Sequence, residues 1–230
     1  PRSTQSRSSA ASDVYKRQPN PDCLQHDAHE FLLHLHEGAP KLFEHLTSLV
    51  ESSFRCDRCG ASRASALEQH VVMSVNTRSP TGTRYTLQEA LDAWLQPEQA
   101  SAGCIWDCPD LQCASTAAPM KLQTVRIAAP VLALHVKRWP ADPRDVLDTS
   151  VLEPPLTLVF KGMAYRLRSF ILHRGEKATE GHYVAVMHQP CGSNADWWLY
   201  DDAKRKAARS ADLSTSQAWN LYLCFYEKAT

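Results

Sequence analysis

Two groups of residues in this chain have types and spacings suited to chemistry. Cys56 and Cys59 stand as C-x-x-C, with Asp57 and Arg58 between them and Gly60 just after, the form of a knuckle that aims two thiolates at one tetrahedral zinc. One pair does not close a site. Cys108 and Cys113, with four residues between them, offer a second pair, and Cys104 with Cys108, three between, is a rival choice. Four protein ligands would make such a zinc structural rather than catalytic, a clamp on two strand ends. The competing reading leaves the thiols free, since the second pair departs from the two-residue spacing and roughly 50 residues separate the pairs.

The second group is near the end of the chain. His182 lies in Gly181-His182-Tyr183, and Asp201 lies in Trp197 to Asp202 (WWLYDD), with Gln189 to Ala195 (QPCGSNA) reading as the turn between two strands. The midpoint of positions 182 and 201 falls inside that turn, so a hairpin brings His182 and Asp201 within a residue or two of register. A carboxylate beside an imidazole can orient it as a general base. An exposed cross-strand polar pair would look the same, and catalysis would need a Ser or Cys nucleophile from another element.

These groups need elements to position them. Leu24, Ala28, Phe31, Leu32 and Leu35 draw one stripe on a helix, which Gly38 and Pro40 stop. Leu67, Gln69, Val71, Met73 and Val75 predict one extended strand after the knuckle. Thr86 to Glu89 forms a capping box ahead of Leu91, Trp94 and Leu95, giving a short helix that ends by Pro97. From Val125 onward the pattern turns to strands: Val131 to Trp139, Leu156 to Phe160, Tyr165 to His173, Gly181 to His188, Trp197 to Asp201 and Leu221 to Tyr226. Helices early and strands late predict an α+β architecture with an antiparallel sheet.

Composition narrows the classes. The chain has 230 residues, with 25 Lys+Arg balancing 25 Asp+Glu and 43% hydrophobic residues, so it is an ordinary globular sequence without the general attraction of a nucleic-acid or anionic-membrane binder. Lys204, Arg205, Lys206 and Arg209 form the one dense basic cluster, which a solvated face explains; a zinc-ribbon nucleic-acid module is disfavoured accordingly. No apolar run is long enough to span a membrane and no secretory signal is visible, so the expectation is an intracellular protein of cytoplasm or nucleus. Residues 1–21 begin with a polar, Ser/Arg-rich run (PRSTQSRSSAASDVYKRQ) and are expected to be a disordered or foreign stretch ahead of a domain at 22–230.

Five motifs occur in one order: Gln25 to Phe31 (QHDAHEF), the Cys56/Cys59 knuckle, Leu132 to Trp139 (LALHVKRW), Gly181 to Tyr183 (GHY) and Trp197 to Asp202 (WWLYDD). Together they resemble the ubiquitin-specific protease family of deubiquitinases. The resemblance implies a papain-like fold of thumb, palm and fingers, with the finger cysteines within 56–113 and the palm over 120–230. It implies thiol-dependent hydrolysis after the C-terminal glycine of ubiquitin, with ubiquitin and ubiquitinated proteins as partners. His182 then resembles the catalytic base, Asp201 the residue that orients it, and Asp202 a second, assisting acid. Asp27 and Glu30, three apart on the predicted helix, resemble the pair that meets the basic ubiquitin tail, and Cys56, Cys59, Cys108 and Cys113 resemble the zinc ligands of the fingers.

The sequence also departs from that pattern. The family's nucleophile sits in an Asn-x-Cys box well upstream of the QHDAHEF position, and none of the 24 residues before Gln25 reads as one. The expectation is a catalytic domain with a truncated thumb and no nucleophile, inactive alone; the alternative is a ubiquitin-binding pseudoenzyme or scaffold. Cys23, just before the predicted helix, is expected to be structural because the family places its nucleophile on another helix. His26 and Trp139 replace the family's Gln and Phe, and Cys191 and Cys224 have no catalytic context.

Overall fold

A helix cap opens the described part of the chain. The computed structural model describes residues 27–100, 107–113, 115–138, 148–177, 180–191, 194–208, 215 and 219–229. The first helix among the described residues, α1 (Ala28–Gly38), starts from Asp27, whose Oδ1 accepts from the backbone N–H groups of His29 at 2.7 Å and Glu30 at 3.1 Å. These are donors that no helical carbonyl can reach. Asp27 itself has extended backbone (φ −67°, ψ 129°), so α1 begins four residues later than the stripe drawn from Leu24, which lies outside the described residues. At the other end Pro40 begins a 3-10 segment, Pro40–Leu46, the stop that Gly38 and Pro40 predict.

The chain then builds a four-stranded antiparallel sheet in the order β2-β1-β5-β4, from β1 (Ser48–Arg55), β2 (Ser62–His70), β4 (Glu98–Gln99) and β5 (Met120–Ile127). Arg55 pairs with Ser62, so residues 56–61 are the connecting knuckle. The expected single strand over Leu67 to Val75 is instead two strands in two sheets. β2 ends at His70, and β3 (Met73–Asn76) pairs in parallel with β6 of the second sheet. Leu67 is 54% exposed whereas Val71, Met73 and Val75 are buried; one hydrophobic period therefore runs across a change of sheet.

The second sheet has eight strands: β3, β6 (Val131–Lys137), β7 (Thr157–Phe160), β8 (Met163–Lys177), β9 (Glu180–Cys191), β10 (Asn194–Asp201), β11 (Lys204–Ala207) and β12 (Asn220–Lys228). Their order is β11-β10-β9-β8-β12-β6-β3, with β7 paired to β8, and every pairing but β3–β6 is antiparallel. Helix α2 (Leu87–Trp94) carries the predicted capping box: Thr86 Oγ1 accepts from Glu89 N, and Glu89 Oε2 accepts from Thr86 N at 2.7 Å. It lays Leu87, Ala90 and Leu91 against Val75, Leu134, Leu158 and Phe160 in the main core. Among the described residues no helix is long and apolar enough to cross a membrane.

Two polar contacts tie this core together. Arg138, 2% exposed, donates to the carbonyls of Leu221 (3.0 Å), Ser150 (2.6 Å) and Asp148 (3.2 Å), joining the end of β6 to the start of β12. Burial lowers its pKa to about 10, which still leaves it charged at neutral pH. Gln88 reaches from α2 to the outer edge of β7, where its Oε1 accepts from Val159 N at 2.8 Å and its Nε2 donates to Val159 O at 2.9 Å. One amide side chain thus stands in for a neighbouring strand and blunts an open edge. Gln88→Ala is expected to lower stability in urea by about 1 kcal/mol. Gln88→Glu is expected to cost as much, because a carboxylate cannot donate to the Val159 carbonyl.

Candidate active site and cysteine cluster

His182 and Asp201 are brought together by a diagonal, not a directly opposed, pairing. Tyr200 faces Ala185 across β9 and β10, so Asp201 falls opposite Val184, two residues along from His182 and on the same face. The strands also run closer to the turn than the sequence implies, to Cys191 and from Asn194. His182 Nε2 lies 2.5 Å from Asp201 Oδ1. An ionised carboxylate only accepts, so the imidazole proton sits on Nε2 and Nδ1 keeps its lone pair. Asp202 follows in the turn to β11, exposed and with φ 51°, a conformation Asp tolerates better than most residues. Its carboxylate lies within 4.8 Å of the other two groups.

Gly181 makes this placement work. Its φ is +145°, and a Cβ there would meet the Arg174 carbonyl oxygen at 2.2 Å and His173 Nε2 at 2.7 Å. Beyond it the β8–β9 register slips, from Arg174 opposite His182 to Lys177 opposite Glu180. The strands therefore approach where only glycine fits, one residue before the histidine.

The cysteines form a separate cluster at the end of the four-stranded sheet. Cys56 Sγ is 3.9 Å from Cys113 Sγ, Cys59 Sγ is 3.4 Å from Cys108 Sγ, and all four sulfurs lie within 4.8 Å of one another. A disulfide would need about 2.05 Å; four thiolates about 2.3 Å from one zinc would be about 3.8 Å apart. The knuckle is shaped by Gly60 (φ 77°) and by Cys56 N donating to Ala61 O. The N–H groups of Cys59, foremost, and of Arg58 hold the Cys56 thiol at about 6 against its burial, while burial pushes Cys108 up to about 12 and also raises Cys113. Four convergent sulfurs of this kind fit a soft divalent cation. The rival ligand Cys104 lies outside the described residues, as does Cys23.

Asp27 does not lie on the helix face as expected. It is the N-cap of α1 rather than a member of its face, and its Oδ2 accepts a short hydrogen bond from Tyr222 on β12. Glu30 is exposed in the first turn. Beneath α1 lies a ring cluster that sequence reasoning missed. His29 stacks on His135 with centroids 4.1 Å apart, His135 meets Tyr222 edge-on, and His173 meets Tyr183 and Tyr222. Burial holds His135 at about 3 and so neutral, with its Nδ1 3.0 Å from Ser74 Oγ. His29 and His135 stand inside QHDAHEF and LALHVKRW, which was the available signal, and His173 lies outside both.

The ubiquitin carboxyl-terminal hydrolase family profile matches residues 8–226. The chain belongs to this family. Within it the chain falls in the ubiquitin-specific protease family, whose type is the cysteine-dependent deubiquitinating hydrolase. It is 25% identical over 205 residues to ubiquitin carboxyl-terminal hydrolase 26 of Oryza sativa subsp. japonica, covering 78% of this chain and 18% of that protein. It is 23% identical over 229 residues to ubiquitin carboxyl-terminal hydrolase 23 of Arabidopsis thaliana, covering 87% and 26%. The chain thus spans about a quarter or less of these relatives' length.

Its fold is that of solved ubiquitin-specific protease domains. The SAGA DUB module of Ubp8, Sgf11, Sus1 and Sgf73 bound to monoubiquitin matches with a TM-score of 0.69 at 21% identity, over 90% of this chain and 49% of that one. The same module bound to ubiquitin aldehyde matches with a TM-score of 0.66 at 21% identity, over 90% and 50%. Within this α+β fold the cysteine cluster lies at the four-stranded sheet, apart from the eight-stranded sheet that carries His182 and Asp201.

The geometry around Gly181 predicts a sharp mutational effect. Gly181→Ala is expected to destabilise the domain by about 2 kcal/mol or more, with denaturant unfolding as the measurement. Gly82→Ala is the control: Gly82 also has positive φ, but a Cβ there would meet nothing within 4 Å. The loss at Gly181 should exceed the loss at Gly82, the excess being the clash.

Proposed function

We propose that this chain is the His-Asp half of a deubiquitinase site. In the complete site a cysteine thiolate would hydrolyse the bond after the C-terminal glycine of ubiquitin. The observation that carries this is the 2.5 Å contact between His182 Nε2 and Asp201 Oδ1, which fixes the tautomer and leaves Nδ1 to take the thiol proton. The thiolate then attacks the glycine carbonyl, and the imidazolium returns the proton to the departing amine. The acyl thioester is released by a water that His182 deprotonates, restoring the thiol. Asp202, whose carboxylate lies within 4.8 Å of both groups, would serve as an alternative hydrogen-bond acceptor for the imidazole.

The nucleophile is not among the cysteines whose side chains are described. Four of these cluster in the fingers, and Cys224 is fully buried with its Sγ donating to Leu134 O. That observation keeps a second reading, ubiquitin binding without hydrolysis. Zinc held by Cys56, Cys59, Cys108 and Cys113 would close the fingers as a structural site, and reduced thiols suit an intracellular compartment. Glu30 is the better probe of the ubiquitin tail, because substituting Asp27 would also remove the α1 cap and the Tyr222 contact.

Three measurements test this. Residues 1–230 are expected to show no turnover of a ubiquitin C-terminal reporter, and the protein bearing an Asn-x-Cys segment ahead of Asp22 is expected to show it. In that protein His182→Ala should abolish turnover and Asp201→Ala should reduce it by about two orders of magnitude or less if Asp202 substitutes. Turnover by residues 1–230 lost on Cys23→Ala would overturn the assignment, and ubiquitin binding without turnover by the longer protein would favour the second reading. Elemental analysis should find about one zinc per chain, lost in Cys56→Ala/Cys59→Ala. Glu30→Lys should weaken ubiquitin binding by roughly three- to tenfold, and equal affinity would show a merely solvated face.

A further inference from the structure

The wall of the site opposite Asp201 is built from two residues outside the motifs. β12 pairs with β8 so that Asn220 faces His173, which brings Trp219, one residue earlier, opposite Arg174. Arg174 in turn faces His182 across β8 and β9. Trp219, Arg174 and His182 therefore form one row across three adjacent strands. The side chains fold over one another along it: the Trp219 ring meets the His182 imidazole at 6.1 Å and 64°, and the Arg174 guanidinium carbon sits 5.1 Å from the Trp219 centroid. Trp219 is half-buried and packed on the main core, whereas Arg174 is exposed.

We propose that Trp219 is a positioning residue for His182, with Arg174 as the clamp that keeps the indole in place. This rests on His182 being the base oriented by Asp201. A hydrogen bond at one nitrogen fixes only one point of an imidazole; the ring can still swing about that contact. A rigid aromatic edge on the other side removes the swing, keeps Nδ1 directed at the position of the thiol, and screens the Nε2–H···Oδ1 bond from water. The guanidinium lies over the indole, as a cation does over an aromatic ring, and limits the indole's own movement.

The His182 Nε2 proton reports this without any nucleophile. In residues 1–230 it is expected as a downfield imidazole signal, assigned by its loss in His182→Gln and shifted in Asp201→Asn. Trp219→Ala should speed its exchange with water by about tenfold or more, Trp219→Phe should stay within about twofold of wild type, Arg174→Ala should speed it by about threefold, and Arg174→Lys should restore it. Exchange unchanged in both Trp219→Ala and Arg174→Ala overturns the proposal while leaving the His182–Asp201 reading intact. A proton indifferent to Asp201→Asn, or absent from wild type, overturns both. If Trp219→Ala does not fold, the surface substitution Arg174→Ala decides alone. In the hydrolysing protein Trp219→Ala should lower kcat by about tenfold with KM within about twofold, and an effect confined to KM would also overturn the proposal.

Discussion

The close approach of β9 to β8 at Gly181 is the constraint on which the site depends. With a Cβ position 2.2 Å from the Arg174 carbonyl, the two backbones meet where no other residue fits. This crossing fixes Arg174 opposite His182, and the register running back from it sets Val184 opposite Leu172 within the core. β10 is then added so that Asp201 lands diagonal to His182. A one-residue slip would turn His182 to the other face, which is why the irregular end of the hairpin is pinned by a steric limit rather than by side-chain contacts.

The four-stranded sheet solves a different problem. It has little to bury at its tip: β2 is exposed along most of its length, and the local apolar cluster consists of Cys56 and Cys108 with Phe54, Ala61 and Cys113 around them. A cluster so small cannot offset the entropy of ordering a long hairpin. The four sulfurs join the β1–β2 knuckle to the segment before β5, the two places that the sheet's own hydrogen bonds leave unconnected. A bound cation would lend the tip its cohesion and couple metal binding to folding there.

What the sequence showed and hid follows from these packing differences. Strands β6, β8, β9, β10 and β12 alternate over a real core and were legible, as was α2 through its capping box. The first half of β2 and all of β11 were not, because both are exposed and carry no hydrophobic period; Lys204, Arg205 and Lys206 read as a basic face when they also form an edge strand. The change of sheet at Val71 was hidden because the apolar alternation continues through it. The midpoint of His182 and Asp201 was enough to bring the pair together, yet the offset of two residues depends on the tight turn. The contact of Asp27 with Tyr222 was hidden, since nothing near Asp27 in the sequence marks a partner 195 residues away.

That long-range partner shows how the supports of the site converge on the start of β12. Within four residues, Trp219 meets His182, the Leu221 carbonyl accepts from buried Arg138, and Tyr222 donates to the cap of α1. Consecutive side chains on a strand point to opposite faces, so Leu221 faces the core while Tyr222 reaches α1 on the other side. β12 lies between β8 and β6 and is paired on both edges, so it cannot shift without breaking two ladders. The helix that carries Glu30 and the imidazole of His182 are thus referred to one rigid strand. Their separation is set by the pleat of the sheet and not by any loop, which is the arrangement needed if a peptide held at α1 is to present its terminal carbonyl at a fixed distance from His182.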